Sequence, residues 1–353
     1  LSGTQLRGAE RRGARVRGSG ELLGLGSSGT TLALAGRVEG VDLSRWKDRL
    51  PVDRFGVQGA LSGSFRVSGP SNRPSIRVDA ASPQLRTRDL APLKEVRLLG
   101  AWEPRGWRVD RLSLRLPGGD LSLSGKGSRS AKGMGPFSLS GPFSGFTTRW
   151  LARPEVLPFR GTLGGVLTVR GDGNRVLGEA TLRAPRVVWK ELEVERLSGK
   201  VGLDGRRITL TRLGGALLEG SGYLDGTVLL PEQAGDPLVD LKGTVADLRV
   251  GGWAAQHLGD LRLTGLLDGT FRVKGPEKDL KVEAQGSLDR PVVQGLAFSA
   301  LTFRLTGEKD RLELQEVKAH LGGGSATGRG TLRDTGTGWA LEFSVAGDDL
   351  ELS

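Results

Sequence analysis

The sequence holds no cysteine and only two histidines, His257 and His320, among 353 residues. Disulfide frameworks and thiolate metal sites are thereby excluded. The redox compartment is not fixed, because a secreted protein can simply lack cysteine. The two imidazoles sit in AAQHLGD and VKAHLGG, outside any HExxH motif or compact ligand cluster, and read as structural or surface residues. There is no nucleophile elbow and no CxxC. Carboxylates such as Asp268 and Asp289 read as turn residues that cap their own backbone. The expectation is a chain with no catalytic residue, no cofactor and no metal site, and so not an enzyme.

Long apolar runs are missing too. No stretch approaches the roughly 18 consecutive apolar residues that a membrane-crossing helix needs. No signal peptide is present, and the chain starts at Leu1. The segment reads as a piece cut from a longer protein, with any anchor or targeting signal outside it. Aromatic residues make up only 5%. Basic residues outnumber acidic ones, 51 to 40, for a net charge of +11. The charges are scattered as single arginines between apolar residues, and ERRGARVRG at 10–18 is the densest block. This pattern suits a solvated basic surface. A nucleic-acid platform would need aromatics and cations on one face. Here Phe65 and Arg66 alternate, as do Phe271 and Arg272, so each pair points in opposite directions. Nucleic acid is not expected as a partner.

What the chain has in abundance is glycine, 57 residues, without the every-third-residue period of collagen. The glycines belong to a long repeat. GALSGSFRVSG begins at Gly59, GTLGGVLTVRG at Gly161 and GLLDGTFRVKG at Gly265. A tryptophan precedes each phrase, at Trp46, Trp150 and Trp253, and a strand-like phrase precedes each tryptophan. Strand pairs separated by glycines follow, as in WRVDRLSLRLPGGDLSLSGKG, RRITLTRLGGALLEGSGYL and DRLELQEVKAHLGGGSATGRGTL. The closing FSVAGDDLELS matches the phrase that precedes each tryptophan. The frame is therefore a truncated repeat at 1–39, three units at 40–144, 145–246 and 247–348, and the start of another at 349–353.

Apolar residues alternate with polar ones at period two, which predicts strands with one apolar and one polar face. Phe65 and Val67 share the apolar face, as do Leu112, Leu114 and Leu116. So do Leu167 and Val169, Ile208 and Leu210, Phe271 and Val273, Phe303 and Leu305, and Leu312 and Leu314. Short strands with glycine-rich turns favour antiparallel meanders. Helix is expected only around the three tryptophans, as one short turn per repeat, with Trp46, Trp150 and Trp253 as packing anchors. Gly63, Gly165 and Gly269, just before the strand cores, read as turn or bulge positions with φ > 0. Gly118–Gly119, Gly214–Gly215 and Gly322–Gly323 read as strand separators. Alternation alone does not say whether the apolar face is a sealed core or an open groove.

The units GALSGSFRVSGPSNRPSIRVDAAS, GTLGGVLTVRGDGNRVLGEATLRAP and GLLDGTFRVKGPEKDLKVEAQGSL resemble repeats of the TamB/AsmA-like superfamily. The likeness lies in a glycine-bounded strand, a short polar loop and a second strand, and it covers essentially the whole chain. The resemblance implies an all-β, elongated, twisted antiparallel sheet folded into a U-shaped groove, a β-taco. It implies a periplasmic location in a double-membrane bacterium, in a protein anchored in the inner membrane by a region outside this segment. It further implies phospholipid acyl chains as partners and transport of phospholipid between the membranes. Support of outer-membrane protein assembly is implied too, through an Omp85-type outer-membrane β-barrel contacted elsewhere. The family carries no catalytic residues to transfer. The groove lining is expected from the fifteen apolar residues named above. The alternative is a closed β-repeat scaffold or adhesin with no lipid conduit.

Overall fold

A computed structural model describes residues 6–7, 14–23, 30–46, 56–87, 90–130, 133–150, 159–172, 175–189, 192–232, 235–257, 262–308, 310–321, 324–334 and 339–348. The chain divides into two compact units, Leu1–Thr181 and Leu182–Ser353. This division does not follow the sequence repeat.

The first unit contains β1 (Leu6–Arg7), β2 (Arg15–Leu23), β3 (Thr31–Asp42), β4 (Gln58–Pro70), β5 (Ser75–Arg86) and β6 (Leu93–Glu103). It continues with β7 (Gly106–Leu116), β8 (Gly119–Ser130), β9 (Gly133–Phe146), β10 (Phe159–Gly161) and β11 (Leu163–Gly171). Strand β12 (Val176–Trp189) contains the division point. The second unit contains β13 (Leu192–Asp204), β14 (Arg207–Leu217), β15 (Gly220–Leu229), β16 (Leu238–Arg249), β17 (Leu263–Pro276) and β18 (Lys281–Val293). It ends with β19 (Leu296–Ala297), β20 (Ala300–Glu308), β21 (Arg311–Leu321), β22 (Gly324–Asp334) and β23 (Trp339–Asp348).

Every pairing within the units is antiparallel. In the first, consecutive strands pair from β1 to β9, and β9 then pairs with β11. In the second, β13 to β18 pair in order, β18 takes both β19 and β20, and the meander runs on to β23. Among the described residues no pairing joins the first strand of a unit to its last. Each unit is an open, groove-shaped meander, neither of them closed into a barrel.

The helical expectation holds in all three places. Leu43–Trp46 and Thr148–Trp150 are 3-10 turns, and α1 (Gly251–His257) is a short α-helix. Trp150 is the anchor the sequence suggests: it is 5% exposed, and its indole N–H donates to the Pro117 carbonyl at 3.2 Å. Trp253 differs, being 41% exposed, because the helix buries Ala254 instead. The side chains of Trp46 and His257 lie outside the described residues.

A line of β-bulges crosses each sheet. Register shifts fall at Val38/Val41, Gly59/Ser62, Lys94/Arg97 and Val109/Leu112 in the first unit. In the second they fall at Glu195/Ser198, Leu210/Leu213, Val245/Leu248 and Leu314/Val317. A bulge inserts an extra residue, bends the strand and resets which residues share a face. The apolar face of β7 thus passes from Trp107 and Val109 to Leu112, Leu114 and Leu116. Repeat equivalents do the same, from Leu210 to Leu213 in β14 and from Leu314 to Val317 in β21. Residues in left-handed conformation mark this line at Gly40 (φ 68°), Gly145 (φ 65°) and Asp247 (φ 55°), the starting positions of the three repeats.

Several glycine and carboxylate readings change. Gly63 and Gly269 do not take φ > 0. A Cβ at Gly63 would lie 2.2 Å from the Asp79 carbonyl oxygen, so close approach of β5 is what requires glycine. Gly118 does turn the chain, at φ 87°. Gly214 and Gly215 lie inside β14 rather than between strands. The hairpin turn is instead Leu218–Glu219, both at positive φ as a two-residue type I′ turn demands. Gly322 and Gly323 lie outside the described residues. Asp268 and Asp289 are strand residues, in β17 and β18. Asp268 accepts the Asp247 N–H across the bulge at 3.0 Å, and Asp289 pairs with Arg290. A bulge leaves a backbone N–H without a ladder partner, and a short carboxylate on the next strand reaches it.

Candidate functional site

The bulge line separates a sealed half of each sheet from an open half. In the first unit the sealed half holds Leu43, Leu85, Leu93, Val96, Leu116 and Trp150 in one buried cluster. In the second, Leu248, Val250 and Leu288 do the same beside α1. These clusters lie at the strand ends where the helical turns fold back. Among the described residues, the opposite strand ends carry hairpin turns and no such cover.

The open half carries continuous apolar rows. Following the register across the second unit, one row reads Val201, Leu210, Gly226, Leu241, Val273, Val282, Gly307, Leu312, Leu332. The adjacent row reads Leu213, Leu224, Gly243, Phe271, Ala284, Leu305, Leu314, Gly330, Phe343. No polar side chain interrupts either. In the first unit a row runs Leu34, Val67, Ile76, Trp102, Trp107, Gly127, Phe137, Gly171. Most of these side chains are half-buried; Trp102 and Phe343 are exposed. At about 4.8 Å per strand, the nine positions from Val201 to Leu332 span roughly 38 Å.

Glycine and aromatic residues alternate across strands in these rows. The Phe271 ring lies over Gly243, where a Cβ would meet Cζ at 2.3 Å, and Phe65 and Phe303 lie over Gly36 and Gly286. A ring laid over a cross-strand glycine restores the packing that the missing side chain forfeits. Trp107 and Phe137 meet across Gly127 with ring centroids 5.9 Å apart. Large and small residues thus tile a low apolar floor.

The residues singled out from the sequence fall into three groups. Val67, Ile208, Leu210, Val273, Leu312, Leu314, Leu305, Phe271, Phe65 and Val169 occupy the open half. Leu167 and Phe303 stand near the bulge line, half-buried. Leu112, Leu114 and Leu116 lie across it in the sealed cluster, where Leu116 is 3% exposed. The bulge at Asp110–Arg111 moves them there. Sequence reading passed over Leu34, Ile76, Val201, Leu224, Leu241 and Val282, whose signal was the same alternation in neighbouring phrases.

The polar face has its own feature. In the second unit a recess of about 500 Å³ is walled by Tyr223, Asp225, Lys242, Arg272, Glu283 and Arg304. It is a mixed-charge site on the face opposite the apolar rows. Arg272 reaches across to Asp240 with Nε and Nη2 donating at 3.0–3.1 Å. Those hydrogen bonds hold the Asp240 carboxyl below its ordinary value. Among the described residues no His, Asp or Glu cluster is arranged to hold a metal ion. No helix there is long and apolar enough to cross a membrane.

Fold and site together define a class: an open antiparallel sheet of the general β-taco kind, with an apolar trough uncovered along one half. Comparisons with family models, with curated proteins and with solved structures each find no match.

Proposed function

We propose that the chain is a segment of a periplasmic bridge protein whose trough conducts phospholipid acyl chains between inner and outer membrane. The same trough would support outer-membrane protein assembly if apolar strands ride in it. The observation carrying this reading is the pair of unbroken apolar rows in the second unit, half-buried beside a sealed core. A chain that needed only stability would bury them. The resemblance of its repeats to the TamB/AsmA-like superfamily points the same way. Inner-membrane anchoring and any Omp85-type partner belong to regions outside the segment. No catalytic step is part of the proposal.

The physics is transfer. Moving an acyl chain from water to an apolar surface gains about 0.8 kcal/mol per buried CH₂. A continuous row lets each methylene leave one contact as it makes the next, so full hydration is never incurred at once. A photo-crosslinking residue at Phe271 should capture co-purifying phospholipid, while one at Arg272, on the opposite face, should not. Val273→Asp and Val169→Asp should remain folded by circular dichroism and lose lipid. Equal capture at Phe271 and Arg272 would sink the reading, as would normal lipid loading in both aspartate variants. A folded protein with no lipid at either position would favour the scaffold.

A further inference from the structure

The polar face of the first unit carries a line of cations that the fold does not need. Arg66 lies opposite Arg77, Arg77 opposite Ala101, Ala101 opposite Arg108, Arg108 opposite Lys126, Lys126 opposite Ser138 and Ser138 opposite Arg170. Five cations and no acid thus stand at one level across seven strands, about 29 Å at the usual strand spacing. All five are exposed. Arg108 is bridged to Asp110 and Glu103. Among the described residues the other four make no ion pair. Arg66 and Arg77 face each other directly across β4 and β5, an arrangement that destabilises a sheet.

The second unit is an internal control. Its equivalent level reads Arg272, Glu283, Thr306, Glu313, Thr331, Glu342. Where Arg66 meets Arg77, Arg272 meets Glu283; where Arg108 and Lys126 stand, Glu313 and Thr331 stand. The same strands in the same register therefore accept acids and neutral residues. The cations of the first unit answer to something outside the sheet.

The surroundings select the partner. The neighbouring positions on this face are small, as at Ser64, Ser68, Ser75, Ser124 and Ser128, or hold acids that already have a cation, Asp79 with Arg97 and Glu103 and Asp110 with Arg108. A protein interface centres on large desolvated anchors, which this patch lacks. Single-stranded nucleic acid requires stacking aromatics, and the aromatics here lie on the other face. An anionic bilayer asks only for exposed counter-charge on the protein surface.

We propose that this row docks the first unit on a bilayer surface through the phosphates of anionic phospholipids. The docking uses the face opposite the trough and does not depend on the conduit reading. The test is co-flotation of the chain with vesicles of phosphatidylcholine alone or mixed with phosphatidylglycerol, at low and high salt. The parent should bind only the anionic vesicles and be released by salt. Arg77→Gln should bind about fivefold more weakly and Arg77→Glu weaker still. Arg77→Glu should also melt at the same temperature or higher, because it recreates the Arg272–Glu283 pairing. Arg207→Glu, the same charge change in the second unit outside the row, should bind as the parent does. The proposal falls if neutral vesicles bind equally, if either Arg77 variant binds like the parent, or if Arg207→Glu weakens binding as much. It falls also if the chain retards duplex DNA yet fails to float, or if both Arg77 variants melt well below the parent.

Discussion

Deleting the same atoms on either side of the bulge line should give very different losses of stability. Leu116 and Leu167 both belong to the first unit, so Leu→Ala at each removes an equal side chain from the same 181-residue body. Leu116 is 3% exposed, and its neighbour Pro117 is held by the Trp150 indole, which pins the helical turn over the site. A pinned site relaxes little, so Leu116→Ala should cost about 3–4 kcal/mol, within the range for buried leucine truncations. Leu167 is half-buried and open on one side, so only part of its transfer energy is at stake. Leu167→Ala should cost about 1 kcal/mol, taking half of the value for full burial. In a body of this size those losses correspond to melting temperatures lowered by roughly 6–16 °C and roughly 2–4 °C. Urea unfolding followed by tryptophan fluorescence, with m-values checked for constancy, measures both. Equal costs within about 0.5 kcal/mol would refute the division into sealed and open halves, since the expected difference of about 2–3 kcal/mol lies well outside the scatter of about 0.3–0.5 kcal/mol between independent sites.

Other expectations follow from single contacts. Asp268→Ala leaves the Asp247 N–H without its acceptor and should cost about 1 kcal/mol in denaturant unfolding, whereas Asp268→Asn should restore most of it. Gly63→Ala places a Cβ 2.2 Å from the Asp79 carbonyl and should abolish cooperative melting of the first unit or cost roughly 3 kcal/mol, a midpoint lowered by about 6–12 °C. Acid should weaken the second unit. Asp240 is held below its ordinary value by Arg272, and Glu316 by Lys318, so each titrates lower when folded than when unfolded. Their stabilisation is present above the usual carboxylate range of about 4 and disappears as pH falls through the depressed folded values. Arg272→Gln should flatten the Asp240 part of that acid slope, read from urea midpoints at a series of pH values.

Much of the architecture was legible because the relevant signal is local. Period-two alternation in SFRVS or RITL reports a strand from four or five residues, and the tryptophan phrases reported each helical turn. The bulges were not legible. Nothing in WRVDRLSLRL says that Asp110–Arg111 resets the apolar face, since DR also fits the polar side of an uninterrupted strand. Only the register of β7 against β6 and β8 shows that Val109 and Leu112 share a face. For the same reason Asp268 read as a turn residue: its partner, the Asp247 N–H, is orphaned by a bulge 21 positions away.

That hidden element also bears on whether the apolar face is a sealed core or an open trough, which alternation leaves undetermined. A strand with one apolar face must either cover that face or leave it available. Here one strand does both, because the bulge divides it. On the side of the helical turns, Leu116, Trp150 and Leu248 meet the demand for stability. On the hairpin side, Val273, Leu210 and Leu312 are freed from it, since the sealed half already holds the register. The glycines opposite the aromatics fit the same division. Phe271 spends its ring on Gly243 within the sheet plane, leaving the floor low and even, where an ordinary core would raise large side chains to interlock. A low, continuous apolar floor beside an independent core is what sliding contact requires. It follows that lipid capture at Phe271 should survive Leu248→Ala, in the sealed cluster of the same unit, at temperatures where the second unit remains folded, and that loss of capture without unfolding would show the two halves to be one core.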